Sequence, residues 1–337
     1  MNVQNVQGVS IIVPCYNEQG TIHLLLDAIY QQDYSRSKIE VIIADGLSTD
    51  HTRDVISNFV LSHPDLNIRI IDNPQRIIPV GLNCAIASAE GDIIIRLDAH
   101  SVPQSDYISL CVCGLEEGLG DNVGGVWDIR PGADTWQAKS ISEAASHKLG
   151  VGDASYRYTS EPQIVDTVPF GSFYRSLFDK VGLYDETLLT NEDYEFNVRL
   201  VKTGGKIWLD PRIRSVYYSR SSFTALARQY WRYGYWKAQM IRRYPNTLRW
   251  RQAIPPLFVL SLGVLLIFSL TNTIARILLL IEITLYVCLL LAAGIGVSTK
   301  KKNLPALVGV PISIAIMHIT WGSAFIWGLI KKPSIGS

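Results

Sequence analysis

From Ile254 onward the chain is almost continuously apolar, and this constrains its architecture more than any other feature. The runs are "IPPLFVLSLGVLLIFSL", "ILLLIEITLYVCLLLAAGIGV" and, after "STKKKN", "LPALVGVPISIAIMHITWGSAFIWGLI". Each approaches or exceeds the ~20 residues that a helix needs to cross hydrocarbon. Three such runs in succession predict a transmembrane region over 253–332 with two to three hydrophobic helices. The first two, about 254–272 and 275–298, are separated by a few residues around Asn272 and read as a tight hairpin. That hairpin returns Lys300, Lys301 and Lys302 to the cytosol, in keeping with the positive-inside rule. The third run has two readings. A full span leaves Lys331 and Lys332 outside; a re-entrant pair, broken at Pro311 with the polar His318 beyond, is tolerated only when packed against protein. Its length favours the span.

Before the apolar region, residues 221–252 crowd Trp, Tyr and Arg together. This predicts interfacial amphipathic helices, with Trp231, Trp236 and Trp250 near the headgroups and Arg242, Arg243, Arg249 and Arg251 on the cytoplasmic side. Base stacking on nucleic acid is the competing use of such residues. The abutting membrane segment argues against it, and a formal net charge of +1 gives no support. At the other end, Met1–Gly8 has no basic n-region, and Pro14 and Asn17 interrupt the apolar run from Val9. The expectation is therefore no signal peptide and a cytosolic first half. Cys15, Cys84, Cys111, Cys113 and Cys288 show no disulfide or zinc spacing and read as reduced, structural thiols.

Residues 1–220 alternate strand and helix signals. "VSIIVP", "IEVIIAD", "IRIIDN" and "DIIIRLD" read as strands; between them "EQGTIHLLLDAIYQQ", "DHTRDVISNFVLSH" and "IPVGLNCAIASAEG", ending at Gly91, read as helices. Such alternation predicts a parallel sheet covered on both faces, with ligands beyond the carboxyl ends of its strands. Those ends read Pro14-Cys15-Tyr16-Asn17-Glu18, Asp45-Gly46-Leu47-Ser48-Thr49-Asp50 and Asp98-Ala99-His100. Any one could be a helix cap; three together deliver acids and amides to one rim. If the last strand continues through its end, Asp98 and His100 project to the same side and could hold a cation. The alternative is a turn, with Asp98 capping and His100 solvated. No phosphate-binding glycine loop is present, so a nucleotide on this acidic rim would require a divalent cation to neutralise its phosphates.

In "VPFGSFYRSLFDKVGLYDETLLTNEDYEFNVRLVKTGGKIWLDP", residues 168–211, Gly171 and Gly182 punctuate a short helix. A second helix runs from Tyr194 to Val201 and stops at Gly204-Gly205. Glu192 and Asp193 then stand at a helix start, where the macrodipole alone would favour carboxylates.

In their order, these motifs resemble those of glycosyltransferase family 2. The "DAHS" variant with three apolar segments is similar to the succinoglycan-type glucosyltransferases of bacterial exopolysaccharide assembly. The resemblance covers roughly residues 8–240. It implies a GT-A fold, a doubly wound mixed α/β sheet with helices on both faces, followed by interfacial and membrane helices. By the same resemblance, Pro14, Tyr16, Asn17 and Glu18 line the nucleotide base and ribose, and Asp45 reads a uracil-like base. Asp98 and His100 stand at the family's D-x-D, as ribose and metal ligands, with His100 replacing an acid; Mn²⁺ or Mg²⁺ is the implied ion. Glu192-Asp193 matches the E-D pair whose aspartate serves as catalytic base. Gln229, Arg232 and Tyr233 match Q-x-x-R-W, with Tyr233 in place of tryptophan, and imply contact with diphosphate and acceptor.

The expected activity is inverting transfer from a nucleotide-sugar donor, a UDP-hexose, to a polyprenyl-diphosphate-linked or other glycan acceptor. The expected place is the cytoplasmic face of the inner membrane, among membrane lipids. A processive polysaccharide synthase and a non-catalytic scaffold of the same fold are the competing readings. Three apolar segments are few for a translocation channel, and retention of Asp45, Asp98, Asp193 and Arg232 argues against a scaffold.

Overall fold

The computed structural model describes residues 8–152, 154–245 and 248–331; Met1–Gln7, Lys332 and the residues after it lie outside them. The chain divides into two compact units, Met1–Asp128 with Tyr158–Tyr217, and Ile129–Arg157 with Tyr218–Ser337. Residues 129–157, read from sequence as part of a 1–220 catalytic domain, thus cluster with the C-terminal helices.

The first unit begins β1 (Val9–Cys15), α1 (Ile22–Tyr30), β2 (Ile39–Asp45), α2 (Thr52–Ser62), β3 (Asn67–Asp72), α3 (Ile78–Ser88) and β4 (Ile93–Arg96). Next come β5 (Val102–Pro103), α4 (Tyr107–Glu116) and β6 (Asn122–Arg130). The chain leaves for α5 (Trp136–Ala145) and α6 (Lys148–Val151) of the second unit. It returns as β7 (Gln163–Ile164), β8 (Ser172–Tyr174), α7 (Leu177–Val181), α8 (Glu192–Lys202) and β9 (Ile207–Tyr218). The strands form one sheet in the order β3-β2-β1-β4-β8-β6-β9-β5, with β7 paired to β9. β3, β2, β1 and β4 are parallel; β8 runs antiparallel to β4 and β6, as does β9 to β5 and β7.

The parallel half matches the sequence alternation, and its physical signature is burial. All of β2 and β4, and all of β1 except Pro14, are buried, which explains why they read as unbroken apolar runs. Helix α1 covers them with Ile22, Leu25, Leu26 and Ile29, the spacing that predicted it. Two boundaries differ from expectation. Helix α3 ends at Ser88, because Ala89 is extended (ψ 136°), and β4 ends at Arg96, two residues before Asp98.

One buried carboxylate fastens this half. Glu40 Oε1 accepts from Ser10 Oγ (2.5 Å), Glu90 N (2.6 Å) and Gly91 N (3.2 Å), while Oε2 accepts from Arg69 Nη2 (2.7 Å). Gly91 can approach because it has no side chain: a Cβ there would come 2.7 Å from Ser10 Oγ. Burial opposes ionisation of Glu40, but these donors hold its carboxyl below the ordinary value of 4.5. A carboxylate with a depressed native pKa contributes stability above its unfolded pKa and loses it as pH falls through the native value. We predict that Glu40→Gln lowers stability at pH 7 by about 1–3 kcal/mol and flattens the melting temperature between pH 5 and pH 3. Thermal unfolding at both pH values checks this; an acid loss equal to that of the parent would refute it.

The second unit contains α5, α6, α9 (Phe223–Arg243), α10 (Trp250–Ser269), α11 (Thr273–Lys301) and α12 (Ala306–Ile330). Helices α10, α11 and α12 are long and apolar enough to cross a membrane. Asn272 caps α11 through Oδ1, which accepts from Ile274 N and Ala275 N, so the expected hairpin turns where the sequence placed it. Helix α12 runs unbroken through Pro311, which removes the re-entrant pair. Ile141, Ala144, Leu226, Leu290, Val310, Ile314 and Met317 form the core of this unit.

Candidate active site

The parallel register brings the strand ends level, because Cys15 pairs with Asp45 and Asp45 with Asp72. Leu97 N donates to Ile12 O (3.1 Å), so the chain after β4 reaches the same rim. The loops after β1 and β2 are stitched together there. Asn17, at φ 54°, donates its N–H to Ser48 Oγ (2.9 Å) and accepts at Oδ1 from Thr49 N (2.8 Å). Glu18 N donates to Thr52 Oγ1 (2.8 Å). Asp45 is fully buried: it accepts from Ser48 N (3.0 Å), Ser48 Oγ (2.5 Å) and Arg53 Nε (2.5 Å). Its carboxylate therefore builds the loop. Pro14 lies in β1, and Tyr16 is exposed, with the Arg76 guanidinium 5.5 Å from its ring centroid.

The Asp98-Ala99-His100 segment is a turn, closed by Ser101 N and Ser101 Oγ donating to Asp98 O (2.9 and 2.8 Å). The strand alternation that would have aligned Asp98 and His100 ends at Arg96. His100 instead turns to β1's loop, its Nδ1 lying 3.1 Å from Glu18 Oε1. Burial opposes ionisation of Glu18, yet hydrogen bonds from His100 and Thr21 hold its carboxyl below the usual range.

The residue that joins the site is Arg96, to which the sequence reading gave no role. It is 5% exposed, and its Nη2 lies 3.0 Å from Glu192 Oε1 and 3.3 Å from Asp98 Oδ1. Its Nε and Nη1 have no hydrogen-bond partner among the described residues. One buried cation thus ties the turn after β4 to the first residue of α8. Its neighbours Asp98, Glu192 and Asp193 strengthen its hold on its proton despite burial. Burial pushes the Glu192 carboxyl up, with Arg96 opposing that shift. Asn191, in the left-handed region at φ 68°, turns the chain into α8 and leaves Asp193 half-buried, its Oδ1 accepting from Tyr194 N (2.7 Å). A charged residue inside the four-residue strand "IIIR" was the available signal for Arg96.

Asp98 and Glu192 are thus joined through Arg96, and His100 pairs with Glu18 on the neighbouring loop; Asp193 adjoins Glu192 in sequence. Gln229, Arg232 and Tyr233 lie on α9 of the second unit, where Gln229 Nε2 donates to the Tyr233 hydroxyl (3.0 Å). No cluster of three His, Cys, Asp or Glu exists among the described residues. A hard divalent ion commonly takes one or two protein ligands and completes its shell with substrate phosphates and water. The Asp98 side chain is 31% exposed and that of His100 54%, so both reach solvent at the rim.

A mixed sheet with acids beyond its parallel strand ends is the arrangement of the GT-A fold. Residues 10–182 match the family described as Glycosyl transferase family 2, and the chain belongs to that family. It is 31% identical over 332 residues to the dolichyl N-acetyl-alpha-D-glucosaminyl phosphate 3-beta-D-2,3-diacetamido-2,3-dideoxy-beta-D-glucuronosyltransferase of Methanococcus voltae, covering 97% of this chain and 98% of that protein. It is 28% identical over 319 residues to the succinoglycan biosynthesis protein ExoA of Rhizobium meliloti, covering 94% and 93%. The mannosyltransferase PcManGT of Pyrobaculum calidifontis, solved with GDP-Man and Mn²⁺, shares the fold at a TM-score of 0.65 and 21% identity, over 95% of this chain and 87% of that one.

Removing one partner of a buried ion pair leaves the other charge uncompensated and costs about 3–5 kcal/mol. Arg96→Met is expected to destabilise the protein on that scale. Adding Glu192→Gln should recover part of the loss, since it removes the stranded carboxylate. Unfolding of the two single variants and the double variant measures the coupling; strictly additive losses would contradict the bridge.

Proposed function

We propose that the chain is an inverting glycosyltransferase moving a hexose from a nucleotide-diphosphate sugar, a UDP-hexose, to a lipid-linked oligosaccharide acceptor. The place is the cytoplasmic face of the inner membrane, in cell-surface polysaccharide synthesis. The observation that carries this reading is the Arg96 bridge, which couples the D-x-H turn to the E-D helix start. Breaking the bond to a diphosphate builds negative charge on the leaving group while the acceptor hydroxyl gives up a proton. The two ends of that reaction need different groups. Pro14, Tyr16, Asn17 and Glu18 frame the nucleotide, with Asp45 ordering the adjoining loop. Asp98 and His100 would hold Mn²⁺ or Mg²⁺, which supplies charge neutralisation at the diphosphate.

Asp193 takes the proton of the acceptor hydroxyl. The oxygen-to-anomeric-carbon bond forms as the bond from that carbon to the diphosphate oxygen breaks, and the electron pair leaves with the nucleoside diphosphate. One displacement inverts the anomeric centre. Glu192, buried against Arg96, positions its neighbour and does not meet the acceptor itself. Gln229, Arg232 and Tyr233 keep the diphosphate and acceptor roles that their motif implies. The named acceptor of the Methanococcus relative is a dolichyl-linked sugar phosphate and ExoA serves succinoglycan assembly, which supports a lipid-linked acceptor here.

Incubating membranes with UDP-, GDP- and dTDP-sugars and following donor cleavage identifies the donor. Asp193→Asn is expected to lower transfer by about 10²-fold or more while leaving donor affinity nearly unchanged; equal loss of both would make Asp193 a donor ligand. Chelation and Asp98→Ala should each silence the enzyme, whereas His100→Asp should retain metal-dependent activity. A normal rate and unchanged metal affinity in His100→Ala would remove His100 from the ion.

A further inference from the structure

The three apolar helices of the second unit are not equivalent. In the most apolar stretches of α10 and α11 only 6% and 17% of residues are buried within the protein, against 44% in α12. Protein surrounds α12 on most sides. Ser140 of α5 fits against Gly309, where a Cβ would come 2.0 Å from its Oγ. Tyr286 of α11 meets His318 Nδ1 (3.2 Å), and His318 Nε2 lies 2.9 Å from Leu149 O of α6. The apolarity of α12 is thus largely that of a helix buried inside a domain.

Its main partner is α9. A Cβ on Gly234 would come 2.3 Å from Trp321 O, and one on Gly328 would come 2.9 Å from Tyr235 O, so the two backbones nearly touch. Gln239 Nε2 donates to Gly328 O (2.8 Å) and Lys331 O (3.0 Å), and Arg242 Nη2 donates to Leu329 O. The contacts advance together, from Gly234 with Trp321 to Arg242 with Leu329, so α9 runs parallel to α12. Helix α9 carries Arg228, Arg232, Lys237, Arg242 and Arg243 along its length, and all of these arginines are exposed. If α12 crossed the bilayer, those charges would lie at every depth of the hydrocarbon, each at a cost of at least ~2.5 kcal/mol near its centre.

The exposed residues of α12 point the other way. Val308, Ile312, Ile319, Trp327 and Ile330 are exposed and recur at helical spacing on one stripe, with Leu329 exposed at its edge. At 100° per residue, that stripe is roughly opposite Trp321, Ala324 and Gly328, which meet α9. The α9–α12 pair is therefore amphipathic as a unit, with an apolar stripe on one side and arginines on the other, as interfacial helices are.

We propose that only the α10–α11 hairpin crosses the bilayer, and that α12 lies at the interface with its bare stripe against the acyl chains and α9 roofing it on the aqueous side. Lys331 then stays on the side of Lys300, Lys301 and Lys302. This rests on the membrane reading and not on the catalytic one, so its test stands whatever the transfer assays return.

The test is labelling of single cysteines in the full-length protein, in a Cys113→Ser and Cys288→Ser background, with a membrane-impermeant maleimide. Lys331→Cys should react from the same side as a reference Ser62→Cys, and Thr271→Cys from the opposite side. Lys331→Cys reacting with Thr271→Cys would overturn the proposal, and so would all three reacting together. A second measurement covers a poorly reactive site. Quenching depths of probes at Ile312, Ile319 and Ile330 should be similar and shallow. A spanning helix would instead spread them over about 27 Å, and absence of quenching by lipid probes would refute contact with the bilayer.

Discussion

The first unit depends on a single buried cation. Arg96 ends a four-residue strand in the middle of the sheet and is left 5% exposed, so its charge must be met by protein. Two carboxylates meet it, Asp98 from the turn that follows and Glu192 from the start of a helix 96 residues on. Their positions are consequences of that charge. Through these two contacts Arg96 holds the turn after β4 and the start of α8 in one frame. Both acids are met by one nitrogen, Nη2, which stands 3.3 Å from Asp98 Oδ1 and 3.0 Å from Glu192 Oε1.

Around that bridge the rim is built from polar groups that mostly satisfy one another. Asp45 is spent on Ser48 and Arg53, Asn17 on Ser48 and Thr49, Glu18 on Thr21 and His100. Residues that a motif suggests for ligand contact therefore also carry a structural load, because they fix loops that have no regular secondary structure of their own. Substitutions here will mix loss of loop order with loss of contact. Asp193 is simpler to interpret, since it is half-buried and its carboxylate accepts from a backbone N–H, that of Tyr194.

In the second unit, composition leaves the surroundings of α12 open. Lipid and a protein interior both select for apolar side chains, so "LPALVGVPISIAIMHITWGSAFIWGLI" reads as a span. What distinguishes α12 is its neighbours: glycines that admit the α9 backbone, a histidine engaged by α6 and α11, and arginines running parallel to it. These contacts join residues from 32 to 169 positions apart, beyond any local window.

The sequence by itself determined the parallel half of the sheet, the hairpin at Asn272, the helix that starts at Glu192 and the family. Each is written in periodicity, capping or short motifs, which act over a few residues. The turn at Asp98, the pairing of His100 with Glu18 and the antiparallel strands β8, β6, β9 and β5 were decided only by tertiary structure. So were the grouping of residues 129–157 with the C-terminal helices and the role of Arg96. The physical reason is the same throughout: where a strand stops, and which charge a buried group meets, depend on what packs against it from distant parts of the chain. An arginine after three isoleucines is legible as an anomaly, but the acids that answer it are fixed only when the sheet closes.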